Sequence, residues 1–393
     1  MEQKIFLSAL SKGRDWKKEV QGLSDRIKTG LGGKSCDLAV FFVSETYKDF
    51  DPRNFSKLVH ETFACRVSIG CNSSGVISND KEIEMQPAIS ILAMHLPGVE
   101  FRPFYISGDD SHSIANGAGL INFLDIYPNE KAKFIAFADP MSFEISKFLA
   151  IFNEAYKGTP VIGGLASGGV MGSPNWLSLN GAVYLDGAVG LALIGNIEFD
   201  VIVSQGCRPV GRPLVITKAE NNVLYELAGQ PALTVLQDIL LKLPAKDKKL
   251  AERSLFAGLV MNENQTQFKR GDFLIRNIVG FDPETGSLSI GEFLNVGHTI
   301  QFQLRDAETS SEDLKILLEK LQGTPHSSPQ GGLLVACCGR GQNLYGVPDY
   351  DSRMIQSMIG PLPLTGFFAN GEIGPIGAKN YVHGYTSSLV IFK

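Results

Sequence analysis

The sequence predicts an α/β protein of mixed parallel and antiparallel sheets covered by helices. Apolar strands alternate with helical segments, the second strand of each group ends in the spacing G-x-x-x-x-G, and the whole unit recurs three times along 393 residues. In the first copy the strand Leu38 to Val43 precedes a helix near Phe55 to Phe63, and the turn Gly70 to Gly75 leads to a third strand, Ala88 to Met94. In the second, Phe134 to Ala138 precedes a helix from Phe143 to Tyr156, and Gly163 to Gly168 leads to Ala188 to Ile194. In the third, Leu333 to Cys337 precedes a helix near Ser352 to Met358, and Gly366 to Gly371 leads to Thr386 to Phe392. A strand–helix–strand step asks for a right-handed parallel crossover, and the short connection after it asks for an antiparallel neighbour.

Between the second and third copies the grammar changes. A helix is expected from Pro231 to Leu243, a hairpin turns at Asp282 to Gly286, and a helix opens with the capping-box pattern Ser310-Ser311-Glu312-Asp313 and stops at Gly323. Gly323 to Gly332 reads as a loop. The length exceeds what one hydrophobic core supports, so two domains are expected, 1–208 and 209–393. The boundary is placed near Cys207 to Pro213, where Gly206, Pro209, Gly211 and Pro213 interrupt an apolar run.

Composition excludes several classes of function. A net charge of −5 and the lack of an arginine-rich stripe with interleaved aromatics argue against nucleic acid as a partner. No run of about 18 apolar residues offers a membrane span, and the N-terminus is too soon charged for a secretory signal. The six cysteines follow no disulfide-framework or zinc spacing, which fits a reducing cytoplasm.

The last sixty or so residues concentrate the site signals: Leu333 to Gly341 with Cys337-Cys338-Gly339-Arg340, Leu364 to Pro375 with Asn370-Gly371-Glu372, and His383 to Ser388. Buried strands that stop among glycines and polar groups build a binding rim, because a residue without Cβ lets a ligand approach the backbone. A phosphate loop needs Lys and Ser or Thr after the second glycine, and Val76, Gly169 and Glu372 stand there instead. Glu372, among Phe367, Phe368, Ile373 and Ile376, needs a cation, a donor or a ligand ammonium, and Arg340 is the expected partner, either in an internal ion pair or with each group binding a ligand. His383 is placed on the same rim, structural or ligating. Alternation sends Cys337 and Cys338 to opposite faces; the favoured reading makes them two small buried residues, and the other turns one of the two, which one being open, toward Arg340, where its pKa would fall. Hydrolytic chemistry has little support: G-x-S-x-G is absent, Ser73, Ser74 and Ser167 lack an evident histidine and acid, and a Cys71–His383 pair has nothing to bring it together.

These strings, with Ile69-Gly-Cys-Asn-Ser-Ser-Gly75 and Pro160-Val-Ile-Gly-Gly-Leu-Ala-Ser-Gly168, resemble the two halves of the FIST family over nearly the whole chain. The resemblance implies a sensory protein rather than an enzyme, with an N-terminal module over 1–208 and a C-terminal one over 209–393. It implies binding of a small polar ligand such as an amino acid, which the rim reading places near Cys338, Arg340, Asn370, Glu372 and His383, with no obligatory cofactor and output through a separate signalling protein. Haem-binding relatives that sense nitric oxide keep haem, with His383 as axial ligand, as the alternative; an uncharacterised enzyme is the other.

Overall fold

A computed structural model describes residues 3–44, 47, 50–169, 173–322 and 328–393. It divides into two compact units, one of Met1–Val203 with Leu317–Lys393 and one of Ser204–Ile316.

The first unit is a threefold repetition. Repeat one runs β1 (Ile5–Ser11), α1 (Trp16–Leu31), β2 (Leu38–Ser44), α2 (Pro52–Phe63), β3 (Val67–Ser73), the hairpin β4 (Gly75–Ser78) and β5 (Lys81–Glu84), and β6 (Ile89–His95). Repeat two runs β7 (Val99–Ile106), α3 (Gly108–Ser113), α4 (Gly117–Leu124), β8 (Lys133–Ala138), α5 (Ile145–Ala155), β9 (Val161–Leu165), the hairpin β10 (Leu177–Leu179) and β11 (Ala182–Tyr184), and β12 (Ala188–Gly195).

Repeat three opens with β13 (Phe199–Ser204), and the second unit follows in the chain. That unit holds β14 (Cys207–Glu220), β15 (Val223–Leu227), β16 (Gln230–Pro231), α6 (Ala232–Lys242), α7 (Ala245–Ser254), β17 (Leu255–Val260), β18 (Phe273–Asp282), β19 (Ser287–Ile290) and β20 (Thr299–Arg305). After α8 (Ala307–Gln322), repeat three resumes with β21 (Gly331–Cys337), α9 (Gly341–Tyr345), α10 (Tyr350–Ile359), β22 (Leu364–Ala369), the hairpin β23 (Glu372–Ile376) and β24 (Lys379–His383), and β25 (Ser387–Phe392).

Each repeat builds one six-stranded sheet, in the orders β1-β6-β2-β3-β10-β11, β7-β12-β8-β9-β23-β24 and β13-β25-β21-β22-β4-β5. The parallel crossovers β2–β3, β8–β9 and β21–β22 are as the sequence predicts. Two details differ from expectation. The last strand of each repeat, β6, β12 or β25, pairs antiparallel with the first member of the parallel pair, β2, β8 or β21, and not with the second, β3, β9 or β22. The glycine turns do not lead to an antiparallel neighbour in the same sheet; each launches a hairpin onto the edge strand of another repeat's sheet, β4 onto β22, β10 onto β3 and β23 onto β9.

The glycine spacing has a steric cause. Gly70, Gly163 and Gly366 lie inside strands, opposite Phe41, Ala136 and Leu334. A Cβ at these glycines would stand 2.1, 1.8 and 1.9 Å from the facing carbonyl oxygens, closer than any atom tolerates, so the strands approach this way only with glycine.

Side chains from all three sheets form the central core, where the rings of Phe42, Phe137 and Phe367 pack at centroid distances of 5.3, 4.4 and 5.8 Å. Full burial of one such ring contributes about 1.5–3 kcal/mol, which makes this contact a main tie between the repeats. Helices cover the outer faces. α1, whose first turn is capped by Asp15, turns Val20, Leu23, Ile27 and Leu31 inward with Phe55, Val59 and Phe63 of α2, and α4 and α5 do the same over the second sheet.

The second unit is a seven-stranded sheet, β14-β20-β17-β18-β19-β15-β16, in which β14 also pairs with β15 so that the strands close on themselves. Its core gathers Val210, Ile216, Leu224, Leu288, Ile300 and Phe302, with Ala232, Val235 and Leu236 of α6 packed onto them. The Pro209-Gly211-Pro213 cluster is a β-bulge inside β14, where the register to β20 shifts between Val210 and Leu214, and not a linker. The compact units accordingly do not follow the segments 1–208 and 209–393: the chain leaves the first unit at Val203 and its last part returns, because β21, β22 and β25 make a sheet with β4 and β5 of repeat one. α8 begins three residues before the expected Ser310, since Asp306 caps it by accepting from the backbone of Thr309 at 2.7 Å. The expected Asp282–Gly286 hairpin is present, and 323–327 of the expected Gly323–Gly332 loop lie outside the described residues.

Candidate functional site

The C-terminal ends of the three parallel strand pairs meet, and three equivalent positions meet with them. Counting from the steric glycines, Ser74, Ser167 and Asn370 each occupy the place just before the second glycine of G-x-x-x-x-G. Ser167 Oγ accepts from the backbone N–H of Ser74 at 3.0 Å, stands 3.5 Å from Ser74 Oγ and donates to the Phe368 carbonyl. Ser74 Oγ lies 3.2 Å from Cys338 Sγ. Each repeat is thus bonded to the next at its strand ends, a tie strengthened by the Leu165 N–H donating to Gly371 and the Asn370 N–H to Leu165. The second glycines are required by the same convergence: a Cβ on Gly75, Gly168 or Gly371 would press on Phe368, Asn72 or Leu165 of a neighbouring repeat. Ser74, Ser167 and Cys338 are half-buried and Asn370 is exposed, so the group forms a rim that solvent reaches.

A second layer holds this rim. Asn72 accepts from Trp176 N–H at 3.0 Å, and Asp139 accepts from Ser142 N–H at 2.9 Å, from its hydroxyl at 2.6 Å and from Asn175 Nδ2 at 3.1 Å. Asn175 in turn takes the Gly169 N–H at 2.6 Å and so fixes the segment after Ser167.

Of the five expected site residues, Cys338 and Asn370 stand on the rim, and Arg340, Glu372 and His383 lie behind it. Arg340 does not pair with Glu372. It is fully buried and grips Asp351, Nε to Oδ2 at 2.6 Å and Nη2 to Oδ1 at 3.0 Å, with Tyr345 hydroxyl 2.6 Å from Nη2; its Nη1 has no hydrogen-bond partner among the described residues. Asp351 comes from α10, whose N-terminal turn folds back over the strand end, and sequence distance alone gives no hint of it. Glu372 accepts instead from the N–H of Thr386 at 3.0 Å and its hydroxyl at 2.6 Å. His383 faces Glu372 across the β23–β24 ladder, with Nε2 3.0 Å from the Gly374 carbonyl.

Neither thiol is activated. Burial pushes Cys337 up to about 12 and also raises Cys338, with Glu372 adding to both, so burial decides the state of the two thiols. Haem fits poorly at His383, which is 2% exposed and already engaged through Nε2 with a main-chain carbonyl. Cys71 sits in the central core, where burial raises its pKa far above the usual thiol range, which separates it from any Cys–His chemistry.

Sequence reasoning passed over Ser74 and Ser167 because it sought a catalytic triad around them. Aligning the three glycine spacings places both at the position of Asn370, and that signal would have found them. Asp139, Asn175 and Asp351 carry no such signal.

Family models match the chain as a FIST N domain over residues 37–230 and a FIST C domain over 232–375. An uncharacterised protein of Mycobacterium tuberculosis is 35% identical over 363 residues, 92% of each chain, and one of Mycobacterium bovis is 34% identical over 364 residues, again 92% of each. Among solved structures, a cyanuric acid hydrolase from A. caulinodans aligns over 100% of this chain and 99% of its own at 8% identity and a TM-score of 0.34, a likeness that carries no function across. No helix among the described residues is long and apolar enough to cross a membrane.

Proposed function

Because the chain belongs to the FIST family, whose domains are associated with sensing in signal transduction, we propose that it is a small-ligand sensor whose ligand is received at the rim of Ser74, Ser167, Cys338 and Asn370. The convergence of three equivalent polar positions, one from each repeat, carries this reading. A rigid scaffold that gathers hydroxyls and an amide at strand ends, half-exposed and without a charged side chain among them, suits a small polar molecule that offers both donors and acceptors. Arg340 supports a zwitterion such as an amino acid: it follows Cys338 by two residues and keeps Nη1 as a buried donor that a ligand carboxylate would satisfy. Glu372 and His383 hold the β23–β24 hairpin behind the rim, and the signal passes to a separate protein.

The test is a thermal-shift screen of amino acids and related zwitterions. A ligand at a hundred times its dissociation constant adds about 2.7 kcal/mol, a shift of a few degrees. Ser167→Ala and Asn370→Ala should each remove that shift. A ligand whose shift survives both changes binds elsewhere and sinks the assignment.

A further inference from the structure

At the opposite ends of the same strands, repeat one carries two cysteines that nothing above uses. Cys36 stands two residues before β2 and Cys65 two residues before β3. The parallel register Leu38↔Val67 extends outward through Val67 N–H to the Asp37 carbonyl at 3.1 Å and Arg66 N–H to the Cys36 carbonyl at 3.3 Å, which sets Cys36 opposite Cys65. Neighbouring strands run about 4.8 Å apart, inside the roughly 4.4–6.8 Å between α-carbons that a disulfide spans. Both cysteines are free thiols, buried at 5% and 7% exposure, and near enough for each to perturb the other. Cys65 Sγ also lies 3.7 Å from His60 Nδ1, itself 3.1 Å from Ser68 Oγ. His60 is only half-buried and joins the pair to the surface.

We propose that Cys36 and Cys65 form a reversible dithiol–disulfide site whose oxidant is a small hydroperoxide, with Cys65 attacking, Cys36 resolving and His60 taking the first proton. The roles follow from the asymmetry of the pair. The neighbouring Cys36 thiol lowers the pKa of Cys65, and the same closeness, with burial, raises that of Cys36. The thiolate of Cys65 attacks the terminal oxygen of the peroxide: the S–O bond forms, the O–O bond breaks, the hydroxyl stays on sulfur as the sulfenic acid, and the alkoxide leaves as an alcohol with the proton that His60 held. Cys36 then attacks the sulfenic sulfur, forming S–S and expelling water. Two thiols lose two electrons, the peroxide gains them, and one alcohol and one water result. The bond would tie the connection from α1 into β2 to the connection from α2 into β3, so oxidation stiffens the base of the first sheet. This input is separate from the ligand rim at the other end of the strands.

The test treats the full native chain with hydrogen peroxide, blocks remaining thiols with an alkylating reagent and maps the tryptic peptides by mass spectrometry. The expected result is the loss of two of the six thiols, recovered with dithiothreitol, and a linked pair of peptides 35–48 and 58–66. In Cys36→Ser the sulfenic acid on Cys65 should persist long enough for a dimedone probe to capture it, and in His60→Ala linkage should slow. Because the wild-type map stands by itself, a variant that fails to fold does not blunt the test. Absence of linkage, or linkage through another pair such as Cys337–Cys338, overturns the proposal.

Discussion

Two hairpins of the first unit do the same topological work with opposite electrostatics. β4–β5 passes from repeat one to the third sheet and β23–β24 from repeat three to the second, and each carries a buried carboxylate, Glu82 at 5% exposure and Glu372 at 0%. Glu372 meets donors: the N–H and hydroxyl of Thr386. Glu82 accepts from the Ser352 N–H at 2.8 Å and faces the charge of Asp351. Burial first and Asp351 second push Glu82 up to about 7. A carboxylate buried among donors is a fixed latch; one buried against another acid is poised to take up a proton.

The largest effect should come from the cation that steadies the acidic side. Arg340→Leu leaves Asp351, 2% exposed, without its bidentate partner, and stripping one member of a buried pair costs about 3–5 kcal/mol. Urea denaturation should show a fall of that order. A loss below about 1 kcal/mol would mean that Asp351 finds another donor. The size of the effect also explains why Arg340→Ala makes a poor probe of ligand binding.

The pH response of Glu82 is next. Its folded pKa is raised, so between the ordinary carboxylate value and about 7 the folded state holds more proton than the unfolded chain. Stability from this group is therefore full at low pH and is lost as pH rises through the window, by up to about 3 kcal/mol. Glu82→Gln keeps an acceptor for Ser352 and removes the charge. The variant should be more stable than wild type at pH 8 and lose that advantage at pH 4. Parallel stability curves for the two proteins would remove Glu82 as the titrating group.

In the other hairpin, Glu372→Ala leaves the buried Thr386 N–H and hydroxyl unpaired, which costs about 1–3 kcal/mol. The calorimetric midpoint of the variant checks the size. A loss below about 0.5 kcal/mol would mean that Thr386 finds another acceptor.

The two carboxylates also mark what a sequence discloses. That Glu372 needed a buried partner was legible from the phenylalanines and isoleucines around it, because desolvation follows from neighbours in the chain. Which partner it took was not: Thr386 reaches it through the β23–β24 hairpin, and Asp351 claims Arg340 from a helix that folds back. The triple strand–helix–strand unit was legible because Gly70, Gly163 and Gly366 each answer the same clash with a facing carbonyl. The exchange of hairpins between sheets was not, since a short hairpin carries no mark of whose edge it will join. The α8 start shows the same limit on a small scale: Ser310 and Asp306 both precede helix-forming residues, and only the hydrogen bond to Thr309 selects Asp306.

The smallest effect on stability should lie at the rim, where the comparison between latch and proton acceptor gives way to recognition. Asn370 is exposed, and the bond that holds it in place runs from its backbone N–H to Leu165, which a change of side chain spares. Asn370→Ser makes the third repeat match Ser74 and Ser167, and exposed substitutions of this kind stay within about 0.5 kcal/mol. The unfolding midpoint without ligand should therefore stay where it is. The response to a zwitterion should fall, because an amide offers a donor pair and an acceptor at fixed geometry where a hydroxyl offers one rotating donor. If the midpoint drops by several degrees, Asn370 belongs to the scaffold with Glu372; if both the midpoint and the ligand response stay unchanged, its amide reads no ligand.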